Sequence, residues 1–270
     1  MSRGSKTGSF TSRLMRRWAL GVWHGRRSFV LPLLLVVIWQ IVYAYRLVSP
    51  TLLPSAWETM LRLGGFVISR NTWTDLGWTA LRMAVGFGLA AIIGISVGLT
   101  MGLHRALYQI MVTPMDFFRS VPVSTLYPAF LLILGTNHSS KIGMVCFGSV
   151  FVVALNTAYG VLQANPVRAQ MVRLFGGSRF QTIRWVTFFE ALPQTMIGLR
   201  VSLSFSLVIE VLCEFFMGSE YGLGQRLSEA YSNYAIADMY AFIVIIGTVG
   251  FILNRTFVHL ERRVVPWVGR

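Results

Sequence analysis

The feature that most restricts this chain is the length of its charge-free apolar blocks. No charged residue occurs over 29–45, 83–103, 142–167, 201–209 or 241–254. A helix needs roughly 20 mainly apolar residues to cross the hydrocarbon core of a bilayer, and there its backbone must satisfy its own hydrogen bonds. The blocks therefore predict membrane-spanning helices. Composition agrees: 54% of residues are hydrophobic and 13% charged, with a mean hydropathy of +0.61, too apolar for an ordinary soluble domain. Six spans are expected, near 29–46, 79–103, 109–135, 141–163, 190–216 and 239–258. They make an all-α integral membrane protein whose transmembrane domain covers 29–260. Asp116, Arg119, Pro122 and Pro128 interrupt the third span. Proline there leaves carbonyls that neighbours or water must re-satisfy, so this helix is expected to bend or break.

Orientation follows from the basic residues. With the N-terminus inside, cytoplasmic segments hold 17 Lys and Arg, the opposite side holds five, and Arg82 and Arg200 fall within spans. That bias obeys the positive-inside rule and puts both termini in the cytoplasm. Residues 1–28 then form a basic cytoplasmic extension and 261–270 a cytoplasmic tail. Arg16, Arg17, Trp18, Trp23, Arg26 and Arg27 suit a segment lying on the membrane surface. The tail before the first apolar run is long and no small-residue cleavage site follows it, so the first span is expected to be retained. The net charge of +14 arises in these inside loops and tails. It points to anionic lipid, not to nucleic acid.

Several chemistries lack their residues. No GxxxxGK[ST] segment is present, so the chain has no P-loop of its own. His24, His104, His138 and His259 are scattered without metal-ligand spacing, and no nucleophile-elbow motif occurs. Cys146 and Cys213 fall inside spans and read as small packing residues. No catalytic residue, cofactor or metal is expected. Active transport, if this chain performs it, must draw energy from an ion gradient or another subunit.

Two spans carry internal patterns. In the second, Gly86, Ala90, Gly94, Gly98 and Gly102 recur every four residues. They form one slowly drifting stripe along which another helix can approach closely. In the fifth, Ser202, Ser206, Glu210 and Glu214 form one polar stripe on an otherwise apolar helix. Carboxylates in a span are expensive and face a bundle interior or a watery cavity. Ser202, Ser206 and Glu210 are candidates for lining a translocation pathway. The alternatives are a buried pair with Arg82 or Arg200, a Glu214 that reaches the outer interface, or an ion site at Glu210 in a secondary transporter.

The loop at 164–189 is the longest internal cytoplasmic one. It reads as helix, turn, helix, with Gly176 as C-cap and Ser178 as N-cap. Apolar Met171, Leu174, Phe175, Phe180 and Trp185 sit among Arg173, Arg179 and Arg184. An apolar helix exposed to the cytoplasm needs a protein partner or lipid.

At this loop the chain resembles the permeases of binding-protein-dependent ABC importers. Their hallmark runs E-A-A-x3-G-x9-I-x-L-P, and its helix docks on an ATPase subunit. Gly176 stands at the glycine, and Gly176-Gly177-Ser178-Arg179-Phe180 resembles the common G-A-S-R-W. Val186 and Phe188 occupy the isoleucine and leucine positions, and Leu192-Pro193 matches a second L-P of the nitrate, sulfonate and taurine branch. Gln170-Met171-Val172 replaces E-A-A and Phe189 replaces the first proline. Leu53-Pro54-Ser55, Thr79-Ala80-Leu81-Arg82, Phe118-Arg119-Ser120-Val121-Pro122, Gly198-Leu199-Arg200 and Tyr221-Gly222-Leu223-Gly224 resemble further branch motifs in the same order.

The resemblance implies a type I ABC importer permease fold with a cytoplasmic coupling-helix loop, in a bacterial inner membrane. It implies a homodimer of permease subunits, two copies of a cytoplasmic ABC ATPase and an extracytoplasmic solute-binding protein. Arg173, Phe175, Gly176, Gly177, Ser178, Arg179 and Phe180 would form the ATPase-coupling element. The solute would be small: nitrate, a sulfonate, taurine or a similar species.

Overall fold

The computed structural model describes residues 30–267. The surface segment expected around Arg16 to Arg27 and the tip of the C-terminal tail lie outside the described residues. The described residues fall into two compact units that divide after Arg62.

In the first unit, helix α1 covers Val30–Ala44. The segment after it folds back: Trp39 Nε1 donates to the Pro54 carbonyl at 2.9 Å, and the Ala56 amide donates to Gln40 Oε1 at 3.1 Å. Helix α2, Ala56–Ile68, starts where Ser55 Oγ accepts from the Glu58 amide at 3.0 Å, satisfying one of the donors that every helix start leaves over.

The second unit is a helical bundle. Its elements are α3 (Arg70–Leu103), α4 (Arg105–Ser120), a 3-10 turn (Val123–Leu126), α5 (Tyr127–Leu134), α6 (His138–Leu162), α7 (Pro166–Leu174) and α8 (Arg179–Thr182). A π turn at Ile183–Thr187 leads into α9 (Phe188–Met217), followed by α10 (Leu223–Ser232) and α11 (Ile236–Val264). Among the described residues, four helices are long and apolar enough to cross a membrane: α3, α6, the continuous Arg179–Met217 and α11. A fifth crossing exists if Arg105–Ser120 and Val123–Leu134, bent by 84°, count as one span. The bend falls at Val121-Pro122, because proline cannot donate to continue the first helix and holds the residue before it extended. The expected first span corresponds to α1. Its described 15 residues reach about 22 Å at 1.5 Å per residue, short of the ~30 Å hydrocarbon core.

α3 and α6 run side by side in the same direction, joined along the small-residue stripe. A Cβ on Gly86 would lie 2.7 Å from Val145 Cβ, and one on Gly94 2.8 Å from Val153 Cβ. Gly98 lies against the Ala154 carbonyl and Gly102 against Val161 just as closely, and Ala90 between them is fully buried. α9 runs antiparallel to α6, with Gly198 against Asn156 and Gly160 against the Ala191 carbonyl. α3 and α6 thus begin, and α9 ends, at the α10 end of the bundle. The 164–189 loop lies at the other.

The α3–α6 contact gives the first expected outcome. Gly98→Leu must drive a side chain into backbone, and overpacking a tight contact costs about 1–3 kcal/mol or more. Its melting temperature in detergent should drop clearly. Gly88→Ala, with nothing within 4 Å of the added Cβ, should leave it unchanged. Equal stability of the two variants would mean that α3 and α6 do not pack along this stripe.

Candidate functional site

At the α10 end, charged groups from three helices meet inside the bundle. Arg82 on α3 is 2% exposed, and Glu210 and Glu214 on α9 are completely buried. Arg82 Nη1 donates to Glu214 at 2.8 Å and to the Tyr221 carbonyl at 2.9 Å, while its Nε donates to His138 Nδ1 at 2.8 Å. Glu214 has Thr79 Oγ1 at 2.8 and 2.9 Å from its two oxygens and accepts from the Gly224 amide at 2.9 Å. Charge-assisted bonds of this kind make up for removing both ions from water.

The same groups tie down the start of α10. The Gly222 amide donates to Asp75 Oδ1 at 2.9 Å, and the Leu223 amide to Thr79 Oγ1 at 3.0 Å. Arg226 Nε closes the ring by donating to Asp75 Oδ2 at 2.7 Å, and that bond raises the Arg226 pKa above its ordinary value. Three backbone donors at a helix start, normally left over, are thus taken by side chains of α3 and α9. Gly222 is required twice: its φ of +148° excludes a side chain, and a Cβ would collide with the Glu214 carboxylate. Trp78 covers the cluster, stacked on His138 at 5.0 Å, with the Arg82 guanidinium 5.6 Å from its ring centre.

Deeper in the bundle, Ser206 Oγ and Ser149 Oγ are 2.9 Å apart, and Ser202 Oγ donates to the Ser149 carbonyl at 3.4 Å. Ser202 and Ser206 therefore face α6 within one protomer and are fully buried. Arg200 does not reach the stripe; it pairs with Glu261 on α11 at 3.3 Å. Glu210 lies 3.9 Å from Arg82 Nη1, and neither of its oxygens has a hydrogen-bond partner among the described residues.

The opposite end presents a different surface. α7 starts at Asn165, whose Oδ1 accepts from the Val167 amide at 2.9 Å, with Pro166 at the first helical position. The turn relies on Gly176, at φ +81°. Ser178 and Gln181 then form a reciprocal capping box at the start of α8. Glu190 at the start of α9 holds the loop down through the Asn165 amide and through Arg168 at 2.9 Å. On this scaffold Phe175 is 93% and Leu174 84% exposed, and Met171, Phe180 and Trp185 are exposed beside them. Phe180, Ile183, Arg184, Trp185, Phe188 and Phe189 line a shallow cavity of about 410 Å³. Arg173, Phe175, Gly176, Gly177, Ser178, Arg179 and Phe180 thus occupy one continuous helix–turn–helix.

Asp75, Trp78, His138, Lys141 and Arg226 belong to the α10-end cluster but carry no motif, while Thr79 stood in one without a role of its own. A signal existed in α3, where Asp75, Thr79 and Arg82 fall on one helix face at helical spacing. Asn165-Pro166 was likewise legible as a helix start. Among the described residues no group of His, Cys, Asp and Glu could hold a metal ion.

A family model described as "Binding-protein-dependent transport system inner membrane component" matches residues 86–266. The putative aliphatic sulfonates transport permease protein SsuC of Bacillus subtilis is 27% identical over 241 residues, covering 89% of this chain and 87% of that protein. The bicarbonate transport system permease protein CmpB of Synechococcus elongatus is 30% identical over 243 residues, covering 87% and 86%. Among solved structures, a chain of a bacterial ABC transporter involved in import of the acidic polysaccharide alginate aligns over 92% of this chain and 99% of its own. The TM-score is 0.65 at 11% identity, a likeness of fold.

Proposed function

Because the chain belongs to the family of binding-protein-dependent transport system inner membrane components, we propose that it forms half of the translocation pathway of an importer for a small solute, such as a sulfonate, nitrate, taurine or bicarbonate. It is the transmembrane permease subunit of an ABC transporter and has no nucleotide-binding motif of its own. The substrate class is supported by the names of its relatives, which concern aliphatic sulfonates and bicarbonate. The ion-coupled alternative raised by Glu210 loses its ground, since a separate ATPase supplies the energy in this family.

One observation carries the coupling role: the cluster of Leu174, Phe175 and Phe180, apolar and exposed on a capped, tied-down helix–turn–helix. An apolar surface held rigid at the end of a bundle is an interaction site. The loop end then faces the cytoplasm and two ATPase subunits, with both termini on that side. The α10 end faces the solute-binding protein. α1 provides the first span, and a second copy of the chain completes the pore. The pathway runs along α9, with Ser202, Ser206 and Glu210 behind its wall and reached by solute only as α9 moves against α6.

Co-expression with the genes flanking its own, followed by detergent purification, should bring a P-loop ATPase down with the chain in equal amount. Uptake into proteoliposomes of that complex should stop when ATP is depleted. Purification without any ATPase, together with uptake that survives ATP depletion, would overturn the importer reading.

A further inference from the structure

Glu210 is the buried carboxylate of the α10-end cluster that this conformation leaves without a hydrogen bond. In a membrane span such a group is costly, and its presence demands a partner or a role. Its nearest cation is Arg82, with Nη1 at 3.9 Å. The same nitrogen lies 2.8 Å from Glu214, which sits four residues further along α9, a rise of about 6 Å. One guanidinium thus stands between two stacked carboxylates, bonded to one and close to the other. Lys141, the other buried cation of the cluster, is held by the Thr136 carbonyl at 3.3 Å.

What keeps Arg82 at Glu214 is partly α10 itself. The Tyr221 carbonyl accepts from Arg82 Nη1 and the Gly224 amide donates to Glu214, each at 2.9 Å. If the segment from Tyr221 to Gly224 lifts away, Arg82 loses an acceptor and Glu214 a donor. Glu210, which lies within ion-pair distance of Arg82 but makes no hydrogen bond, gains nothing from α10 and so becomes the better site for the guanidinium. Two discrete arrangements of one packed element are what a switching transition requires.

We propose that Arg82 is a two-position switch, paired with Glu214 while α10 is seated and passing to Glu210 when α10 is displaced. The proposal rests on the reading of the chain as a permease that alternates between conformations. It makes α10 the element through which events at that end reach α3 and α9.

Glu210→Gln tests this directly, because it removes the destination without removing any hydrogen bond of the seated conformation. Its melting temperature should equal or exceed that of the wild type. ATP-driven uptake by the permease–ATPase complex, reconstituted and supplied with its solute-binding protein, should fall at least tenfold. Glu214→Gln removes the seated partner and should raise, at least fivefold, the labelling rate of Leu223→Cys, a fully buried position on α10, in a background lacking Cys146 and Cys213. Wild-type uptake by Glu210→Gln, a lowered melting temperature, or unchanged labelling of Leu223→Cys in Glu214→Gln would each overturn the switch. Labelling needs neither nucleotide nor the ATPase. A wild-type complex without ATP-dependent uptake would therefore fail the importer reading alone, with the switch still decided by labelling and melting.

Discussion

Arg82→Met is expected to destabilise the folded chain by about 3–5 kcal/mol, the usual consequence of removing one partner from a buried ion pair. Methionine roughly fills the space but supplies no charge, so Glu214 keeps its bonds to Thr79 and Gly224 and loses its cation. Glu210, already without a hydrogen bond, loses its nearest positive group. The Tyr221 carbonyl and His138 Nδ1 each lose a donor as well. Such a loss should show as a large drop in melting temperature and in the monodisperse fraction after detergent extraction. Arg82→Met combined with both Glu210→Gln and Glu214→Gln should recover much of it, because neither carboxylate facing Arg82 is then left as a stranded charge in a low-dielectric interior. Arg82→Lys, which keeps the charge but not the guanidinium geometry, should fall between the two. An Arg82→Met chain as stable as the wild type, or a triple variant no better than the single one, would show that these ion pairs do not hold this end of the bundle together.

The parts of this molecule that lipid imposes were legible in the sequence, and the parts that depend on helices meeting were not. Charge-free blocks located α3, α6, α9 and α11 because a span must be both apolar and self-bonded. Pro122 announced the break in the third expected span, and Ser178 with Gly176 announced the turn in the 164–189 loop, since capping chemistry is local. The first block overstated its helix: 29–45 is free of charge, yet α1 stops at Ala44 ahead of a turn. The π turn at Ile183–Thr187 contains neither glycine nor proline, so nothing marked it. The α10-end cluster drew Asp75, His138, Glu214 and Arg226 from separate stretches of the chain, and no spacing rule joins residues so far apart. Arg82 and Arg200 looked like equal candidates to neutralise the α9 carboxylates. Only the fold, by giving Arg200 to Glu261 on α11, separated them.

Phe175→Asp should abolish coupling to the ATPase while leaving the chain itself intact. The side chain is 93% exposed and sits at the end of α7, ahead of Gly176, so its replacement removes almost no packing from the protomer. Membrane insertion, melting temperature and yield should match the wild type. What changes is the surface offered to a partner: a buried apolar anchor at an interface is worth about 2 kcal/mol or more on truncation, and a carboxylate in its place adds the cost of burying an unpaired charge. The ATPase should no longer co-purify, and ATP-driven uptake should fall by at least tenfold. Ser178→Ala provides the comparison. It breaks one half of the capping box at a cost of about 1 kcal/mol, loosening α8 without altering the exposed face, and should weaken coupling only partially. The order matters more than either value. With the glutamate of the family hallmark replaced by Gln170 and its neighbours by Met171 and Val172, the proposed contact is expected to rest on Phe175, Phe180 and the shape held by Gly176. If Phe175→Asp sustains normal uptake with the ATPase still bound, docking takes place elsewhere on the loop, and the cavity between Phe180 and Phe189 becomes the surface to test.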